Sequence, residues 1–175
     1  MMEKYPRIGR NINIADKYFR LYLRDALSPH GLNTAEGTVL LSMYGSSGGT
    51  ERQIFDSIHG REGGGNTQDE LIDDLHYDKG VMTRTMKSLE EKGFVQRSPN
   101  PADSRSYIFT LTEKGLDFKG TLIDLLRRWS DRLLAGIDEQ TLSTVEKALA
   151  VMAENAVGFC RENNFKNAAG AGNGN

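Results

Sequence analysis

With 175 residues the chain is long enough for one domain, or for one domain carrying an oligomerisation arm. A formal net charge of −2 excludes a globally basic nucleic-acid coat, so any DNA-reading surface must concentrate its positive charge locally. One cysteine rules out an intrachain disulfide framework and fits a reducing cytoplasm; the first residues lack the apolar run of a signal peptide, and no segment nears the roughly 18 uninterrupted apolar residues of a membrane span.

Ile8, Ile12, Ala15, Phe19, Tyr22, Leu23, Ala26 and Leu27 recur with the 3.6-residue period of a helix over 8–28, which Pro29 and Gly31 end. Asn33 or Thr34 caps a second helix, with Glu36 close behind and an apolar face of Val39, Leu40, Met43 and Tyr44. The stretch 45–66 places two Gly-rich clusters around a short turn at Gln53–Ile58. It is too long for an ordinary connection and reads as a mobile surface insertion, with a lid or partner contact as the functional alternative.

Thr67-Gln68-Asp69-Glu70 is a capping box that opens a helix buried through Leu71, Ile72 and Leu75. His76, Tyr77 and Asp78 form a turn. Asp78 caps the next helix, Lys79–Lys92, and Gly93 supplies the left-handed residue that closes it. Two strands, 94–97 and 107–111, are expected around a loop punctuated by Pro99 and Pro101, after which Thr112 caps again. Two long amphipathic helices, 113–135 and 139–162, complete the pattern, and the low-complexity end 166–175 is expected to be disordered.

On Lys79–Lys92 the residues Met82, Met86 and Leu89 form one apolar stripe, which leaves Gly80, Thr83, Arg84, Lys87 and Ser88 on the other side. Six basic residues against three acidic ones between Lys79 and Arg105 give a local charge of +3 on an acidic chain. A helix of this kind fits the major groove, where Lys and Arg neutralise phosphates or reach guanine and Thr and Ser add hydrogen bonds. A solvated surface helix explains the helix alone equally well. The basic hairpin beside it favours DNA: Arg105 near the tip could enter the minor groove, with Asp103 bracing its guanidinium, while a turn-stabilising pair with no ligand explains these two residues taken alone equally well.

The ordered blocks Thr67-Gln68-x-Glu70-Leu71, Met82-Thr83-Arg84-x-Met86-x-x-Leu89-Glu90-x-Lys92-Gly93-Phe94-Val95, Asn100-Pro101-x-Asp103-x-Arg105 and Leu111-Thr112-x-x-Gly115 resemble the MarR family of bacterial transcriptional regulators. The resemblance implies a mainly α fold with a small β-wing, a winged helix-turn-helix. The N- and C-terminal helices would interlock with a second copy. It divides the chain into an N-terminal dimerisation helix (1–32), a winged DNA-binding region with the Gly-rich insertion (33–112), C-terminal dimerisation helices (113–165) and a tail. Three departures stand out: Ser104 where the wing usually carries a second arginine, Ile72 where a small residue is usual, and the insertion itself.

The function this implies is a cytoplasmic, homodimeric regulator of transcription, most commonly a repressor that a small molecule releases from a pseudo-palindromic operator. Its DNA-contacting set would be Thr67, Gln68, Lys79, Gly80, Thr83, Arg84, Lys87, Ser88, Arg97, Asp103, Ser104 and Arg105. Tyr18, Tyr22 and His30 are candidate liners of an effector pocket where the arms meet the winged region, with core or dimer packing as their plainer role. Cys160, on an apolar stripe with Phe159 and Met152, reads as a buried structural thiol. The three histidines share no metal-ligand spacing, and no nucleophile set, P-loop or dinucleotide fingerprint is present, so neither enzyme nor cofactor is expected. A winged-helix module that uses the same surface on a protein partner is the alternative.

Overall fold

In the computed structural model, residues 5–45 and 65–163 are described and form six α-helices and a small antiparallel sheet. The helices are α1 (Tyr5–Leu27), α2 (Thr34–Tyr44), α3 (Gln68–Leu75), α4 (Lys79–Glu91), α5 (Glu113–Leu133) and α6 (Glu139–Glu162). A single 3-10 turn, Ser28–His30, follows α1. The strands are β1 (Asn66–Thr67), β2 (Val95–Asn100) and β3 (Asp103–Leu111), in the order β1-β3-β2. Most of the Gly-rich insertion, with the turn expected at Gln53–Ile58, and the tail 166–175 lie outside the described residues.

Local capping chemistry sets the helix boundaries. Asn33 rather than Thr34 caps α2: its side chain accepts from the Glu36 amide at 2.9 Å and Glu36 accepts from the Asn33 amide at 2.7 Å. Thr67 and Glu70 form the same reciprocal box on α3, at 3.2 and 2.8 Å. Asp78 accepts from the Val81 amide at 2.8 Å at the start of α4. At the end of α4, Gly93 takes φ +74°, and the amides of Gly93 and Phe94 reach back to the carbonyls of Glu90 and Leu89 at 2.9 Å each. These two bonds satisfy carbonyls that the helix end would otherwise leave open, and they turn the chain sharply into β2.

The core gathers Leu27, Val39, Leu40, Leu71, Met82, Met86, Leu89, Val95 and Leu122, all almost completely buried. Tyr44 runs through it to donate its hydroxyl to the Gly115 carbonyl at 2.5 Å. Burial pushes that phenol well above its usual pKa, so it remains a neutral donor. Phe19 and Tyr22 tilt against Trp129 at centroid distances of 5.5 and 5.4 Å, which packs α1 along α5.

Two expectations need correction. The hairpin loop is shorter than the prolines suggest: Ser98, Pro99 and Asn100 continue β2, Asp103–Ser106 belong to β3, and only Pro101 and Ala102 turn between them. Pro99 is tolerated because it pairs with Tyr107 beside a register shift at Pro99/Asn100, near the exposed end of the sheet. Cys160 is exposed, not buried. No residue of α6 whose burial is described is buried, and Val145, Leu149 and Met152 of its apolar stripe are exposed.

Candidate nucleic-acid interface

The candidate reading head is the α3-turn-α4 pair with the β2-β3 wing. His76 makes the turn possible by adopting φ +52°, the one non-glycine left-handed residue among those described. Met82, Met86 and Leu89 are 0–1% exposed and fix the rotation of α4, so Thr83, Arg84 and Lys87 must point outward. Gln68, at the first position of α3, donates to the Thr83 hydroxyl at 2.7 Å, and that hydroxyl donates to the Lys79 carbonyl at 2.7 Å. The two helices thus meet at their outer edge through side chains that still carry donor and acceptor capacity.

The basic residues fall into two groups. Lys79, Arg84 and Arg105 are exposed and, among the described residues, enter no ion pair or side-chain hydrogen bond. The others have partners: Lys87 approaches Glu91 at 3.8 Å, Arg97 meets Glu90 at 3.2 Å, and Lys92 is bound to Glu36. The local excess of charge read from the sequence therefore concentrates at three points, two on α4 and one on the wing. Gly80, Ser104 and Asp103 are exposed around them, whereas Thr67 is half-buried with its hydroxyl engaged in the α3 cap. Ser88 lies at the edge of the face and its hydroxyl helps to hold Glu36 instead of facing outward.

The wing tip is held by its own hydrogen bonds. Asn100 accepts from the Ala102 amide at 3.0 Å and donates to Ser106 at 2.9 Å. Asp103 does not fork onto the Arg105 guanidinium as expected; its carboxylate accepts from the Arg105 backbone amide at 3.0 Å. A two-residue separation favours this local closure, since the near amide is presented before the long side chain can fold back. Among the described residues the guanidinium has no hydrogen-bond or ion-pair partner at the tip.

Sequence reasoning missed the group that anchors α4 from behind. Glu36, 0% exposed, receives the Lys92 ammonium at 2.6 and 2.8 Å. Burial raises its pKa, but the hydrogen bonds from Lys92, Ser88 and the Asn33 amide, with the charge of Lys92, outweigh that effect and hold the carboxyl below its usual value. The Lys92 carbonyl in turn accepts from Lys114 at 2.7 Å. The partners lie 56 positions apart, and the only local sign was a glutamate at a capping position.

The three effector-pocket candidates are not gathered in one place. Tyr22 donates to the Leu125 carbonyl at 2.8 Å and is part of the α1-α5 packing. Tyr18 is 56% exposed. His30 lines a cleft of about 520 Å³ with Phe94, Glu113, Lys114, Asp117, Phe118 and Thr121, none of which the sequence pointed to as a pocket residue. Among the described residues no group of three or more His, Cys, Asp or Glu side chains is placed to hold a metal ion, and no helix is long and apolar enough to cross a membrane.

Comparison with known proteins gives the same picture. The MarR family model matches residues 61–107. The HTH-type transcriptional regulator BilQ of Clostridioides difficile (strain CD3) is 22% identical over 86% of this chain and 90% of its own length. A MarR transcriptional regulator from Methanosarcina mazei Go1 superposes with a TM-score of 0.73 at 26% identity, covering 88% of this chain and 99% of that one. A mutant MarR from E. coli complexed with operator DNA superposes with a TM-score of 0.66 at 25% identity, covering 87% of this chain and 97% of that one. By its motif order, its fold and these matches, the chain is similar over most of its length to winged-helix transcriptional regulators of the MarR family, and its residues 61–107 match that family's model.

Proposed function

We propose that this protein is a sequence-specific, double-stranded DNA-binding repressor that acts in the cytoplasm as a homodimer and is released by a small-molecule effector. The observation that carries the DNA reading is a set of three cations with no ion-pair partner among the described residues, Lys79 and Arg84 on an outward-facing helix and Arg105 on the wing tip. In this reading α4 lies in the major groove. Arg84 reads base edges, Lys79 and Lys87 neutralise phosphates, and Thr83, Gly80, Gln68, Ser104 and Thr67 complete the contact surface. Arg105 enters the adjacent minor groove, whose negative potential attracts arginine.

Dimerisation is supported by Val145, Leu149, Met152 and Phe159, which are 37–59% exposed at helical spacing on α6, and by Ile8 and Ile12, each 43% exposed, on α1. A stripe of that extent on two terminal helices suits a partner's matching helices. A two-fold dimer would read a pseudo-palindrome with half-sites one turn apart, ~34–36 Å. The His30 cleft supports the effector reading, because it adjoins both Phe94, directly after the recognition helix, and Lys114, which holds the Lys92 carbonyl. Selection of bound sites from random duplex DNA tests the proposal. Enrichment of a palindrome is expected, and a pool that stays random after repeated rounds would refute it.

A further inference from the structure

Arg97 has a different environment from the other basic residues of the reading head. It lies on β2, its Nε is 3.2 Å from the Glu90 carboxylate on α4, and its guanidinium sits over the Tyr107 ring on β3, 4.9 Å from the centroid. Three elements therefore meet at one planar group. Among the described ion pairs it is the one that joins the wing to α4. The buried base of the hairpin, Val95 and Phe109, lies inward of it, and Gln96 to Pro99 on β2 are exposed.

We propose that Arg97 is a positioning residue: it sets the angle between the wing and α4, and so the separation of Arg105 from Arg84, and does not itself serve as a phosphate ligand. The proposal rests on the DNA-binding reading above for its consequence, but not for its geometry. Its charge is matched by Glu90, so it adds little net attraction for phosphate. The planar guanidinium can bind a carboxylate along its edge while its face rests on an aromatic ring. A lysine ammonium has neither the edge nor the face, so Arg97→Lys keeps the charge and removes the brace.

The test has two arms. In the free protein, residual dipolar couplings of wing amides are compared with those of α4 amides in wild type, Arg97→Lys, Glu90→Gln and the double variant. The expected result is reduced wing couplings in each variant, unchanged α4 couplings, and no further loss in the double variant; wing couplings equal to wild type in both single variants would overturn the proposal. In the second arm, the palindromic duplex selected from random DNA is titrated at several salt concentrations. Arg97→Lys is expected to weaken binding roughly two- to fivefold, the scale of one exposed ion pair, with the salt slope unchanged. If Arg97 were instead a phosphate ligand, Arg97→Ala would lower the slope by about one per protomer with the wing still ordered. Should no duplex be selected, the DNA reading fails, while the couplings still decide whether the brace exists.

Discussion

The Lys92 ammonium, at the C-terminal cap of α4, is bonded to both oxygens of the fully buried Glu36 carboxylate at the start of α2, at 2.6 and 2.8 Å. Glu36 also completes the α2 capping box, so one side chain fixes where α2 begins and where α4 ends. A cation at a helix C-terminus is further favoured by the helix dipole. Removing the lysine leaves a buried charge without its partner. Lys92→Met is therefore expected to destabilise the protein by about 3 kcal/mol, the low end for a broken buried pair, since Lys92 is 35% exposed. Urea unfolding at fixed protein concentration measures this; a loss near zero would mean the pair is not coupled to folding.

The same pair carries a pH signature. The folded-state pKa of Glu36 lies below its unfolded value, so its contribution is present above the ordinary glutamate range, about 4.3, and is lost as pH falls through the lower folded value. In Lys92→Met the buried carboxyl loses its cation and its pKa moves upward, so the variant recovers part of its deficit on protonation. The stability gap between wild type and Lys92→Met should thus narrow as the pH is lowered from 7 toward 4. Thermal unfolding across that range checks it, and a constant gap would contradict the assignment.

Gly115 is needed for close packing. A Cβ there would stand 2.2 Å from the Phe94 carbonyl oxygen, where α5 crosses the chain leaving α4. Backbone is in the way, and it cannot rotate aside like a side chain. Gly115→Ala is expected to cost at least about 1–3 kcal/mol, as overpacking does, and to displace Phe94 and the base of the wing. Chemical denaturation gives the stability, and chemical shifts of the Val95 and Phe109 amides report the displacement.

Most of the fold was legible because its signals are local. The Thr67-Glu70 box, the Asp78 and Thr112 caps and the Gly93 stop each depend on residues within a turn of one another, and all four stand where the spacing puts them. The hairpin length was not legible, because Ser98, Pro99 and Ser104 are exposed in a wing with little buried face and so lack apolar alternation. The two-residue strand β1 has no pattern of its own and exists by pairing with Ile108 and Phe109. Cys160 was misjudged because an apolar stripe indicates that a surface will be covered but does not identify what covers it. At the candidate site, α4 gave its outward face through the buried Met stripe, while the partner that engages Lys92 comes from the distant α2 and the one that engages the wing's Arg97 comes from α4.

Arg84 and Arg105 should separate in their effects. Arg84→Ala is expected to weaken binding to the selected duplex by about 1–3 kcal/mol and to relax preference at one position per half-site. Arg105→Ala should weaken binding by a similar amount and reduce the preference for A·T pairs at the flank, with little change in unfolding midpoint. Competition titrations against single-position duplex variants distinguish the two, and an Arg105→Ala protein with wild-type affinity would remove the wing from the interface.

Light scattering at micromolar concentration should give the mass of a dimer, about twice 19.4 kDa. Val145→Asp with Leu149→Asp, which charges the exposed α6 stripe, should shift that mass toward the monomer. A wild-type monomer would leave the stripe unexplained and remove the basis for a palindromic site.

The most direct measurement is the salt dependence of affinity for the duplex selected from random DNA. Lys79, Arg84 and Arg105 on two protomers bring about six positive charges against the duplex, which implies a slope of log K against log salt near −5. A slope of that size, reduced in steps by Lys79→Ala and Arg105→Ala, is the result the account predicts. Binding that is indifferent to salt would contradict it and would favour a protein partner on the same surface.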